Sequence, residues 1–294
     1  MQVLSFPRVG AFLVALLALS PPQARPDSDS RECAERIVSL GGTLTEIVHA
    51  LGAGDCLVGV DQSSTYPPEV EDLPRLNYHR QVSAEGVLSL NPTLVLLTPE
   101  AGPPSAVQQL RDAGVRLITI TGDDSTTGSM KRVEEVGAAL GKPEIAAEIV
   151  RRMRADLEQA EAFAAQAPHR PRVLFIYARG LGTLMVGGRG TPADTMIRLA
   201  GGANATGTIE GFKPLTAEAV VEAAPDIVLM MSKGLESLGG REGLLSIPGV
   251  AQTPAAQQGR LILMDDLYLL GFGPRLGQAA RDLAQPGMTT EATR

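Results

Sequence analysis

The sequence predicts an α/β protein of two similar lobes joined by one long helix. Three observations carry this reading. First, 294 residues exceed one small core and suit two lobes of about 100–150 residues each. Second, residues 143–167 read as one uninterrupted helix near the middle of the chain. Third, sequence on one side of that helix is repeated on the other. Ser83-AEGVLSLNPTLVLL matches Thr216-AEAVVEAAPDIVLM without a gap, Leu51-GAGD matches Ala200-GGAN, and Arg116-LITIT matches Arg260-LILMD, in the same order. Three ordered matches imply a duplicated α/β unit rather than chance helix–Pro–strand patterns.

Residues 1–24 read as a secretory signal. Arg8 precedes the apolar run Gly10–Leu19, too short to span a bilayer, and Pro22-Gln23-Ala24 places cleavage after Ala24. The mature chain is therefore expected in the periplasm, with residues 25–142 as the N-terminal lobe, 143–167 as the bridge and 168–294 as the C-terminal lobe. Two cysteines, Cys33 and Cys56, stand immediately before the strand candidates Arg36–Leu40 and Leu57–Val60. They are either a disulfide or two inert core thiols. Adjacent parallel strand starts lie side by side, so a bridge is within reach and an oxidising compartment favours it.

In the N-terminal lobe, Ile37–Leu40 is a strand, and Gly41-Gly42 turns the chain into a helix capped by Thr43. That helix carries the apolar face Leu44, Ile47, Val48 and Leu51. A helix follows Ser83 from Ala84 to Leu90. The apolar run Leu94–Leu97 suits a strand buried on both faces of a parallel sheet. Helices around Ser105–Ala113 and Ser129–Leu140 flank a strand at Arg116–Thr121. The bridge begins on Pro143, a good first helical residue, and presents Ile145, Ile149, Met153, Leu157 and Ala160 as one stripe. Pro168 and Pro171 stop it, and Arg172–Tyr177 opens the second strand series.

A formal charge of −7 argues against a nucleic-acid partner. Aromatic residues at 3%, with no Trp, argue against a sugar-stacking cleft. The glycine run Gly187–Gly190 before Asp194 lacks the Walker lysine and reads as a tight turn into a helix. No G-x-S-x-G occurs, and His49, His79 and His169 lack metal-ligand spacing. Among the tyrosines, Tyr66, Tyr177 and Tyr268 sit in settings that suit packing. Tyr78 has Asn77 before it and His79-Arg80-Gln81 after, without apolar neighbours. On its residues alone it is as readily a surface loop tyrosine as a ligand.

The segment Asp61–Leu97 reads DQSSTYPPEVEDLPRLNYHRQVSAEGVLSLNPTLVLL. With GRGTPADTMIRLAGGANA and LLGFGPRLGQAA further on, it resembles the periplasmic haem-binding proteins of bacterial haem ABC transporters. These fall within the wider class binding cobalamin, siderophores and haem. The resemblance covers Arg36 to about Ala284. It implies a binding protein rather than an enzyme, with haem as the carried ligand and Tyr78 as an axial iron ligand. Arg80 is expected to assist, since in an extended segment it shares a side with Tyr78 while His79 faces away. Lys233 stands where relatives often carry an arginine, so a point charge replaces a fork. A phenolate suits ferric iron. With no ligand-type histidine in the C-terminal lobe, one five-coordinate haem is expected. The implied partner is an inner-membrane ABC permease, docked through Glu100 and Glu236, and the protein is expected to be a monomer. The alternatives are a ferric siderophore or a corrinoid on the same scaffold, or a secreted α/β enzyme.

Overall fold

The computed structural model describes residues 33–166 and 169–285. The expected signal segment and its cleavage site lie outside these residues. The first lobe alternates strands and helices in the order β1 (Ile37–Leu40), α1 (Gly42–Ala50), β2 (Leu57–Val60), α2 (Ala84–Leu88), β3 (Leu94–Leu97), α3 (Pro104–Asp112), β4 (Arg116–Thr119) and α4 (Thr126–Ala139). Its strands form one parallel sheet in the order β2-β1-β3-β4. All residues of β1 and β3 are buried, as strands covered by helices on both faces require. Cys33 and Cys56 are bridged, tying the chain ahead of β1 to the start of neighbouring β2.

The helix α5 (Pro143–Gln166) leads into β5 (Arg172–Ala178), β6 (Leu184–Gly187), α6 (Pro192–Leu199), β7 (Ala203–Asn204), β8 (Phe212–Pro214), α7 (Ala217–Ala223), β9 (Ile227–Met231), α8 (Ser232–Ser237), α9 (Arg241–Leu245), α10 (Pro254–Gln257), β10 (Leu261–Met264), α11 (Asp266–Leu270) and α12 (Leu276–Ala284). Here β10, β9, β5 and β7 are parallel, and they reproduce the order of the first sheet. The second lobe adds the antiparallel pair β6 and β8 on the outer half of β5.

The duplication extends to single hydrogen bonds. Ser83 Oγ accepts from Gly86 N and Thr216 Oγ1 from Ala219 N, each at 3.2 Å, so both repeat helices are capped alike. Arg36 donates to the carbonyls of Leu90 and Asn91, and Arg172 to that of Ala223, closing the matching helix ends. Asn91 (φ 47°) and Ala224 (φ 36°) both turn left-handed just before a proline.

Several elements differ from expectation. The α1 helix starts two residues early, at Gly42, with Gly41 in the cap position and no side-chain cap. Thr43 instead donates its hydroxyl across the molecule to Gly271 O at 2.6 Å. Helix α4 begins at Thr126, because Ser125 Oγ already accepts from Gly128 N at 2.9 Å. On α5 the buried face is Ala146, Ile149, Val150, Met153 and Ala160, while Ile145 is 41% exposed. Two helices decide this, since α4 and α12 both pack along α5. Their contacts are close because Gly137 faces Ala146 and Gly277 faces Met153 O, where a Cβ would stand within 2.4 and 2.5 Å. The chain from Gly271 to Arg275 therefore returns to the first lobe. Ser129 Oγ donates to Phe272 O at 2.7 Å, and Arg275 forks onto Glu46 at 2.7 and 2.9 Å. The lobes are thus joined by this strap as well as by α5.

Candidate functional site

The parallel strands of both sheets point their C-terminal ends at a shared cleft of about 460 Å³. The first lobe contributes the loop after β2 and Tyr78. The second contributes Tyr177 and Arg179 at the end of β5, Met231 and Lys233 after β9, and Leu267 and Leu270 on α11. Apolar surface and a few charges therefore converge, with cations on the second lobe's wall.

Tyr78 reaches the cleft on a backbone that is pinned from two directions. His79–Gln81 is one 3-10 turn, not the extended segment expected, because Gln81 N closes onto Tyr78 O at 2.7 Å. The alternation that would align Tyr78 with Arg80 is therefore broken. From one side, Gly102 N donates to His79 O at 2.9 Å and Val82 N to Gly102 O at 2.6 Å. From the other, Asp61 accepts the His79 backbone N–H at 3.1 Å and lies 3.0 Å from its Nδ1.

Asp61 is the hub of this loop and is fully buried. Its carboxylate also accepts from Ser63 and Ser64 hydroxyls and from Gly41 N, where β1 turns into α1. Burial opposes its ionisation, but the hydrogen bonds and charge of His79 and the two serines outweigh it. The Asp61 carboxyl is held below its ordinary value. The His79 ring is thereby fixed on Asp61, with its centroid 4.2 Å from that of Tyr78.

Of the sequence-predicted residues, Tyr78 and Lys233 line the cleft from opposite lobes. Tyr78 is 38% exposed. Arg80 is exposed on the turn and is not among the lining residues. Glu100 and Glu236 are exposed just beyond β3 and β9, at corresponding ends of the two sheets. Arg179 and Asp266 line the cleft as well, and both escaped the sequence reading. Arg179 follows a core strand and Asp266 begins a short helix, so no motif marks them. Their proximity, at 2.8 Å from Nη2 to Oδ2, joins residues 87 apart.

Other candidates are already engaged. Tyr268 donates its hydroxyl to Asp282 at 2.7 Å, and burial together with that carboxylate pushes its pKa up. Tyr66 stacks beneath the Arg275 guanidinium, 3.5 Å from ring centroid to carbon. In the glycine run, Gly190 N donates to Asp194 Oδ2 at 3.3 Å, so the loop's own side chain takes the place of an anion. Among the described residues no cluster of His, Cys, Asp and Glu could hold a metal ion.

Two duplicated α/β lobes, joined by α5 and the strap and facing each other across a cleft, define a protein that captures a solute between them. The chain belongs to the periplasmic binding protein family, whose model matches residues 37–268. It is 49% identical to the periplasmic haem-binding protein RhuT of Roseiflexus sp. RS-1. That likeness covers 85% of this chain and 96% of RhuT at a TM-score of 0.83. It is 29% identical to the uncharacterised ABC transporter substrate-binding lipoprotein YvrC of Bacillus subtilis, over 85% of this chain and 79% of YvrC. The vitamin B12-binding protein of Vibrio vulnificus is 25% identical over 82% of this chain and 85% of its own length. None of the described helices is long and apolar enough to cross a membrane.

Proposed function

We propose that this protein captures haem between its lobes and delivers it to an inner-membrane ABC permease. The observation that carries the reading is Tyr78, exposed on a pinned turn at the cleft and faced by apolar side chains and cations of the other lobe. The likeness to RhuT supports the same ligand. Tyr78 supplies the phenolate to ferric iron, a hard anion for a hard cation. Free tyrosine ionises near pH 10, and the ferric charge favours the anion. Arg80 sits on this turn as a peripheral positive charge. Lys233 faces the ligand from the second lobe as a point charge. Glu100 and Glu236, one on each lobe, supply the acidic contacts that guide docking to the permease.

Adding hemin to the protein tests the reading. A stoichiometric Soret shift with a phenolate-to-iron absorption band is expected. Tyr78→Ala should abolish that band and weaken binding at least about 100-fold, the loss of a metal ligand. His79→Ala should retain it, because its ring is committed to Asp61. The vitamin B12-binding relatives favour a corrinoid instead. Cyanocobalamin binding without any hemin complex would replace haem by that ligand.

A further inference from the structure

A second hollow, of about 440 Å³, opens on the second lobe at the far end of its sheet from the cleft. Arg170 stands just ahead of β5, and β7, which also lines the hollow, pairs with Arg172 and Val173 at the start of that strand. Arg179, past the other end of β5, lines the cleft. The seven residues of β5, roughly 23 Å of strand, thus separate the two openings.

The lining of this hollow gathers charge of one sign. Arg170, Arg189 and Arg198 stand against a single described carboxylate, that of Asp194, in a chain whose formal charge is −7. Asp194 is buried and already committed. Its Oδ1 accepts from Asn204 Nδ2 at 3.0 Å, while its Oδ2 accepts from Gly190 N at 3.3 Å and lies 3.2 Å from Arg198 Nε. The chain's own acid therefore fills the turn into α6 and leaves two of the three positive charges uncompensated. No hydrogen bond, ion pair or ring contact among the described residues engages the side chain of Arg170 or Arg189. The Arg189 backbone is nonetheless fixed, its N donating to Ile209 O at 2.8 Å and its O accepting from Gly211 N at 2.9 Å. Like charges gathered in one concavity repel, and an anion placed among them removes that cost.

We propose that this hollow binds a compact dianion of the phosphate type, free in solution and independent of the cleft. Two uncompensated charges match the charge of a phosphate monoester or inorganic phosphate near pH 7. A lone carboxylate would leave one of them unpaired. Guanidinium forks also engage phosphate oxygens two at a time. The haem reading enters only in choosing the source of the phosphate. Strands β5 and β9 are parallel, so Glu236, beyond the end of β9, belongs to the opposite end of the sheet from the hollow. With that end docked on the permease, the hollow is turned away from the inner membrane. A solute, and not a lipid headgroup, is then its occupant.

Equilibrium dialysis with radiolabelled inorganic phosphate, at constant ionic strength, tests the site. A single phosphate is expected per chain, bound about tenfold or more weakly by Arg170→Gln and by Arg189→Gln, the loss of a charge-assisted contact. Arg189→Lys should keep part of the affinity, since charge survives without the fork. Acetate at the same ionic strength should not displace the label. Phosphate should raise the thermal unfolding temperature of the unaltered protein but not that of the variant carrying both Arg170→Gln and Arg189→Gln. Both side chains are exposed and unengaged, so without phosphate that double variant should unfold as the unaltered protein does and bind hemin equally well. No retention of phosphate by the unaltered protein, or retention that survives in the double variant, overturns the site. Displacement by acetate overturns its selectivity for a dianion. Arginine-dependent association with vesicles of phosphatidylcholine and phosphatidylglycerol, without retention of free phosphate, would put a membrane surface in its place. Hemin takes no part in the dialysis, so failure of the haem reading would leave this site standing.

Discussion

Asp61 shows how one buried charge can organise a loop at the cleft from a distance. It lies 17 residues before Tyr78, yet it receives the His79 backbone and ring, two serine hydroxyls and the glycine turn after β1. Its carboxyl has a lower pKa in the folded protein than its ordinary value. The folded state therefore binds the Asp61 proton less readily than the unfolded chain does. The stability this provides is fully present above the unfolded value of about 3.9 and is lost as pH falls through the folded value. Asp61→Asn should cost about 1–3 kcal/mol at pH 7, the range for a buried hydrogen-bonded group left imperfectly paired. It should also flatten the acid limb of the stability profile. Urea unfolding at pH 7 and across pH 5 to 2 checks both, and an unaltered acid limb would refute the assignment to Asp61.

At the scale of the element, the duplicated helix–strand unit repeats its connection as well as its pattern. In each copy the helix ends on a left-handed residue before a proline, and an arginine ahead of the lobe's first strand closes the helix carbonyls. The first copy uses Asn91, a residue that tolerates this backbone, whereas the second uses Ala224, which does not. Ala224 is exposed, so its side chain contributes little that glycine would lose. Ala224→Gly should raise stability by about 1 kcal/mol, the penalty of a left-handed alanine less the entropy of glycine. Thermal or urea unfolding would show it, and a destabilised variant would mean that the alanine conformation is not strained.

The whole molecule is held by two connections with different chemistry. Helix α5 packs against α4 and α12 through close glycine contacts, and the strap at Gly271–Arg275 fastens the second lobe's end to α1 and α4. The Glu46–Arg275 fork is its strongest point, with the Glu46 side chain 4% exposed. Glu46→Ala would leave a partly buried guanidinium without its carboxylate and should cost about 3 kcal/mol. Urea unfolding measures this, and a loss well under 1 kcal/mol would show that the fork adds little. A scaffold fastened twice favours small lobe movements over wide closure, so the proposed docking would present Glu100 and Glu236 to the permease at a nearly constant spacing. Reversing both charges, Glu100→Lys with Glu236→Lys, should reduce haem delivery in reconstituted transporter while hemin binding is retained. Undiminished transport would remove these two residues from the docking surface.

Local pattern by itself determined the alternating α/β class, the duplicated lobes and the long helix begun by Pro143, and it put a bridge between Cys33 and Cys56 within reach while leaving two core thiols as the alternative; the structure has the bridge. These follow from periodicity, punctuation by proline and glycine, and strand starts that adjacency brings together. The neighbours of Tyr78 spoke against a packed ring but left a surface loop tyrosine as good a reading as a ligand, and the resemblance of Asp61–Leu97 to a known family is what singled it out. Only the tertiary structure decided what surrounds it. The 3-10 turn after Tyr78 depends on Asp61 and Gly102, which come from two other loops, so a strand-like alternation with Arg80 could not survive. Thr43 was expected to cap α1, but the strap's Gly271 carbonyl offers its hydroxyl a partner 228 residues away. Ile145 was expected inside, but α4 and α12 together rotate the buried face of α5 onto Ala146 and Val150. Arg179 became visible as a cleft residue only when β5, β9 and α11 were assembled side by side. Hydrophobic period records which face of an element is buried against one neighbour. It does not record where two or three neighbours meet, and the charges of this cleft are set at such meetings.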